Sequence, residues 1–151
     1  MNTRYIAFKV LFAVEKDGAY SAIALNNAIR ENDLNPLDSS FASALVYGVL
    51  ERKLTLDYII GQYSKIPIKK IELQTLIILR LGVFQLLFMD KIPDSAAVNE
   101  SVKLAKKLKL YRASGFINGI LRGITRAEVK YRLPDPDKDH IAYLKVKYSC
   151  P

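Results

Sequence analysis

The sequence predicts an all-α protein, and three observations carry that reading. Apolar residues recur at helical spacing along most of the chain. No run alternates apolar and polar residues, and no turn dipeptide joins two such runs into a hairpin. The breaks fall at residues that cap or stop helices, and the segments between them are short. At 151 residues, 50% hydrophobic and 25% charged, the chain is long enough for a substantial core. The expected architecture is a bundle of six to seven helices over residues 1–130, followed by a linker tail over 131–151.

The elements follow in order. A first helix is expected over residues 3–16, broken at Gly18 in "KDGAYS", and a second over 21–31. In "ENDLNPLDSS", Asn35 is placed as an N-cap with Pro36 at the first helical position, where its missing N–H costs nothing. The third helix carries "SSFASALVYGVLERKL", and Thr55 is expected to cap a fourth, "LDYIIGQYS". Pro67 closes the next linker. A long helix over 69–89 is apolar nearly all round, the pattern of a helix covered on every side. "DKIPDS" is a turn with Asp94 or Ser95 as the cap. A basic helix follows over 96–108, then a glycine-bearing helix over 112–130. "LPDPDKD" reads as a linker, and "HIAYLKVKYSCP" as a short apolar segment without a partner.

The same features limit the compartment. "LIILRLGVFQLLFM" is interrupted by Arg80 and Gln85 and falls short of the roughly 20 residues a membrane span needs. The N-terminus lacks a signal-peptide pattern. The single cysteine, Cys150, excludes a disulfide framework. A cytoplasmic location is expected.

Charge is concentrated. Residues 1–90 carry ten Lys/Arg and nine Asp/Glu, whereas residues 91–132 carry ten against three, so most of the +8 net charge lies in one short stretch. A clustered basic excess points to a polyanionic partner, most often nucleic acid; solvated lysines that aid solubility are the alternative. On a helical wheel, Val98, Ser101, Val102, Leu104, Ala105 and Leu108 gather opposite Asn99, Lys103, Lys106 and Lys107. Lys109 continues the charge into the loop. On the last helix, Ala113, Phe116, Ile117, Ile120, Leu121 and Ile124 form an apolar stripe. Arg112, Arg122, Arg126 and Lys130 project from the side that also bears Gly115, Gly119 and Gly123. Glycine inside a helix costs about 0.5–1 kcal/mol relative to alanine. Either another helix approaches closely along this stripe, or a phosphate backbone does.

Four blocks carry a family resemblance: "LVYGVLERKLTLDYII" (45–60), "LIILRLGVFQLL" (76–87), "IPDSAAVNESVKLAKKL" (92–108) and "GFINGILRGITR" (115–126). In order and spacing they resemble the NusB-type RNA-binding domain. That all-helical fold belongs to the antitermination factor NusB and also forms the N-terminal domain of bacterial 16S rRNA (cytosine-5) methyltransferases of the RsmB/Sun type. The methyltransferase branch is the better match. "VYGVLERKLTLDYII" and "INGILR" resemble its versions, and "YLKVKYSCP" is similar to the segment that leads into its next domain. The resemblance implies a non-catalytic domain that binds rRNA and meets the methyltransferase domains of its own parent chain. S-adenosylmethionine is expected for that parent and no cofactor for this part. A stand-alone antitermination factor working with a ribosomal-protein partner, and a purely structural module, are the alternatives. A homodimer is also open.

Expected RNA contacts are Arg4, Lys103, Lys106, Lys107, Arg112, Arg122 and Arg126. In the free factor an arginine-rich N-terminus takes part in binding, but "MNTRY" supplies only Arg4. The weight therefore shifts to the cluster at 103–126.

Catalytic and metal-binding constellations are not expected. Cys150 lies in the tail, outside the helical pattern. His140 has no Cys or Glu at ligand spacing, and Asp135, Asp137 and Asp139 alternate with prolines without a calcium-loop glycine. Arg80 and Glu100 are polar residues in buried patterns, and an ion pair between them is one expectation, since an unpaired buried charge would be costly. Tyr5, Phe8 and Phe12 form a further apolar face on the first helix, for packing or for stacking on bases.

Overall fold

The computed structural model describes residues 2–127. Those residues form seven α-helices and one short 3-10 turn. The chain divides between Gly48 and Val49 into two units.

The first unit contains α1 (Thr3–Asp17), α2 (Ser21–Glu31) and most of α3 (Pro36–Glu51). Asn2 caps α1, its Oδ1 accepting from the N–H of Arg4 at 2.9 Å. Gly18 ends the helix at φ 67°, and its N–H donates to the carbonyl of Ala13. That left-handed position suits glycine, which has no Cβ to clash. The chain reverses there, and α2 packs back on α1. Asn35 acts as the expected cap: its Oδ1 accepts from the N–H of Asp38 at 2.8 Å, with Pro36 opening α3. Ile6, Ala7, Phe8, Val10 and Leu11 of α1 are buried, as is Leu25 of α2.

The second unit holds α4 (Lys53–Tyr63), the 3-10 turn (Ile68–Lys70), α5 (Leu73–Phe88), α6 (Asp94–Lys107) and α7 (Tyr111–Arg126). Helix α5 packs on α4, α6 and α7, and its residues from Thr75 to Gln85 are buried without a break. This explains its apolar character on every side. The two polar residues that interrupt the apolar run are satisfied. Gln85 donates its Nε2–H to the carbonyl of Leu81 at 2.9 Å. Arg80 makes a two-pronged pair with Asp57 of α4, Nε to Oδ1 at 2.7 Å and Nη2 to Oδ2 at 2.8 Å. Arg52 lies over the rings of Phe84 and Phe88, at 5.8 and 4.8 Å, covering the far end of α5.

Several expectations need correction. Arg80 does not pair with Glu100. Asp57 takes it, and Glu100 lies 4.0 Å from Lys103 one turn along α6. Helix α4 begins at Lys53, so Thr55 sits buried inside its first turn rather than at the cap. The long helix starts at Leu73 because the chain makes a 3-10 turn and a bend before it. Pro93, not Asp94 or Ser95, precedes the first turn of α6, and α7 ends at Arg126. Lys130, His140, Cys150 and the aspartates at 135, 137 and 139 lie outside the described residues.

The tightest helix contact is at Gly82. A Cβ there would stand 2.8 Å from Leu121 Cδ1 of α7 and 2.9 Å from Ser101 Oγ of α6. Three helices therefore meet at a position where only hydrogen fits. The Ser101 hydroxyl donates to the carbonyl of Ala97 at 2.7 Å.

Candidate nucleic-acid interface

Helices α6 and α7 form an antiparallel hairpin, and each divides its residues between core and surface. On α6, Ala97, Val98, Ser101, Leu104 and Ala105 are buried, while Lys103, Lys106 and Lys107 are exposed. On α7, Ile117, Ile120, Leu121 and Ile124 are buried, while Arg112, Arg122 and Arg126 are exposed. Six of the seven expected contact residues thus reach the surface of one hairpin. Arg122 is steadied by its neighbour, donating Nε–H to Asn118 Oδ1 at 2.9 Å. Arg4 belongs to the first unit, is half-buried, and rests its guanidinium 5.2 Å from the centre of the Phe41 ring.

The loop between the helices is short and pinned. The N–H groups of Leu108, Lys109 and Leu110 donate to the carbonyls of Leu104, Lys106 and Ala105 at 3.1, 2.9 and 2.8 Å. Lys109 occupies the left-handed region at φ 61°, a position usually given to glycine. That conformation costs a lysine about 1 kcal/mol or more. It places an exposed lysine at the bend. Tyr111 follows at the start of α7 and is 64% exposed.

The glycines separate into two kinds. A Cβ on Gly123 would meet the Tyr63 ring of α4 at 3.3 Å, so this glycine seats a neighbour. A Cβ on Gly115 or Gly119 would meet nothing within 4 Å. Close helix packing is therefore not what these two serve among the described residues, and that expectation is corrected for them. They line an open groove of about 470 Å3, together with Tyr63, Lys65, Ile66, Phe116 and Ile120. Arg112, Arg122 and Arg126 share the exposed side of α7 with them.

The aromatic face of α1 also divides. Phe8 is buried and stacks on Phe12 at 5.9 Å between ring centres. Tyr5 and Phe12 are partly exposed, each with a lysine above it, Lys9 at 5.5 Å and Lys16 at 5.3 Å.

Sequence reasoning did not single out Tyr111, Tyr63, Lys65 or Ile66. An aromatic residue at the edge of a polar turn was the available signal for Tyr111. Among the described residues no three His, Cys, Asp or Glu side chains are placed to hold a metal ion. No helix there is long and apolar enough to cross a membrane.

An all-helical bundle with a basic, side-chain-poor hairpin at its C-terminal end is the class these features define. The NusB family model matches residues 1–126, and the chain belongs to the NusB family. It is 39% identical over 128 residues to the probable ribosomal RNA small subunit methyltransferase B of Synechocystis sp., an alignment covering 85% of this chain and 29% of that protein. The chain thus spans less than a third of that relative's length. It is also 31% identical to the transcription antitermination protein NusB of Ruminiclostridium cellulolyticum, over 84% of this chain and 88% of that one. Among solved structures, antitermination factors NusB and NusE in complex with dsRNA match with a TM-score of 0.73 and 25% identity, covering 80% of this chain and 91% of that one.

Proposed function

We propose that this chain is a non-catalytic RNA-binding domain that delivers an S-adenosylmethionine-dependent 16S rRNA cytosine-5 methyltransferase to its substrate. The observation that carries the RNA reading is the hairpin of α6 and α7, which exposes Lys103, Lys106 and Lys107 on α6 and Arg112, Arg122 and Arg126 on α7, the arginines on the same helix as two glycines whose Cβ positions meet nothing among the described residues. Cations on fixed helices can bind phosphates, which gives affinity and strong salt dependence but little sequence choice. The bare stripe lets a sugar–phosphate backbone come close to the helix. Arg4, in the first unit, is proposed as a separate phosphate contact. The identity to a methyltransferase relative of which this chain covers only 29% supports the assignment to the enzyme branch.

The chemistry itself belongs to the parent. Methyl transfer in that class needs a positioned cysteine thiolate and a sheet domain with a glycine-rich turn for the cofactor. No step of it is assigned to the residues of this domain.

The test is a titration of a short rRNA hairpin at several salt concentrations. The wild-type chain is expected to bind with a steep salt dependence. Replacing Lys103, Lys106 and Lys107 by glutamate should abolish most of that binding. Weak binding unaltered by the reversal would leave only a structural role for this hairpin.

A stand-alone antitermination factor is the second reading, supported by the chain's 88% coverage of a NusB relative. It calls for RNA binding that strengthens when a ribosomal-protein partner is added. It also calls for an open reading frame that stops shortly after codon 151, where the first reading calls for several hundred more.

A further inference from the structure

We infer that the bend between α6 and α7 holds one unpaired nucleotide, its base stacked on Tyr111 and its flanking phosphates on Lys109 and Arg112. This rests on the RNA reading above and specifies which nucleic-acid geometry that surface takes. Tyr111 is among the most exposed large hydrophobic side chains described, and no ring or cation contact within the described residues occupies it. It stands beside a shallow cleft of about 410 Å3 lined by Glu72, Lys109, Leu110, Tyr111, Arg112 and Ala113. Pockets that enclose a small organic ligand begin at about 300 Å3, so the cleft has room for a single nucleotide.

Its lining supplies three kinds of group. The phenol ring offers a flat face to a base. Two cations flank that ring in sequence, one of them held at the left-handed bend. The Glu72 carboxylate offers an acceptor to base N–H groups. A paired base inside a duplex has no free face for the ring, whereas an unpaired or bulged base has one. The short, hydrogen-bonded loop keeps the platform rigid, so little ordering is needed on binding.

The experiment uses the 151-residue chain and two rRNA-derived hairpins. One carries a single bulged 2-aminopurine nucleotide, and the other is fully paired. Wild-type protein should bind the bulged hairpin more tightly and quench its fluorescence. Tyr111→Ala should weaken binding of the bulged hairpin by about 5- to 100-fold and remove the quenching, the range expected for one base–aromatic stack. Binding of the paired hairpin should stay the same, and Tyr111→Phe should behave as wild type. An unchanged thermal melt shows that Tyr111→Ala is folded. If Tyr111→Ala binds both hairpins as wild type does, or weakens both equally, the stacking proposal is overturned while the RNA reading stands. If wild-type protein binds neither hairpin in a salt-dependent way, both are overturned.

Discussion

Helices α5 and α7 each carry glycine among apolar residues, and Gly82 of α5 and the glycines at 115 and 119 of α7 are used in opposite ways. Gly82 of α5 sits where Leu121 and Ser101 leave no room for a methyl group. Gly115 and Gly119 of α7 face open space among the described residues. In α5 the absent side chain is offset inside the protein, by the close approach of three helices. At Gly115 and Gly119 no such return exists among the described residues, although the cost to the helix is the same. The difference marks α5 as the part that makes the fold and the outer side of α7 as the part open to a partner.

The largest effect should come from breaking the ion pair that ties α5 to α4. Asp57→Ala leaves the Arg80 guanidinium in a site where its side chain is only 6% exposed. Removing one partner of a buried pair costs about 3–5 kcal/mol, and urea unfolding should show a drop of that order. Next comes Gly82→Ala, which forces a methyl group against Leu121 and should destabilise by about 1–3 kcal/mol. Gly115→Ala and Gly119→Ala should move the other way, each raising stability by about 0.5–1 kcal/mol, because the new methyl meets nothing and the helix propensity improves. The same two variants should bind RNA less tightly than wild type. If they destabilise instead, something packs on the stripe and the comparison fails. The smallest effect on stability is expected from Arg122→Ala and Arg126→Ala, within about 0.5 kcal/mol of wild type, as usual for exposed sites. Their effect should appear in RNA affinity, with the salt slope reduced by about 0.7–0.9 for each phosphate no longer neutralised.

Much of this architecture is legible in the residues alone. Seven helices in order follow from apolar spacing and from punctuation such as Asn35-Pro36 and Gly18. The exposure of Lys103, Lys106 and Lys107 follows from their wheel position opposite Val98 and Leu104. Pairings between helices are less accessible. Periodicity shows that Arg80 is buried, but Asp57 and Glu100 lie on two different neighbours of α5, and only the three-dimensional arrangement chooses between them. Glycine is hard to read for a related reason. The regular spacing of Gly115, Gly119 and Gly123 suggests close packing, yet among the described residues only Gly123 has a neighbour, while Gly82 is hidden in an unbroken apolar run. Whether a residue without a side chain is crowded depends on what lies across from it, and spacing along one helix does not carry that information. The exposure of Tyr111 is obscure as well, because hydrophobicity alone assigns an aromatic residue to the core.

The central claim is that the outward surfaces of α6 and α7 are where RNA sits. The most direct test is an amide NMR titration of the isotopically labelled chain with an rRNA hairpin at low salt. The largest shift changes are expected between Lys103 and Arg126, with a smaller response around Arg4 and little change along the buried residues of α5. Perturbations confined to α1 and α2, with residues 103–126 silent, would contradict it.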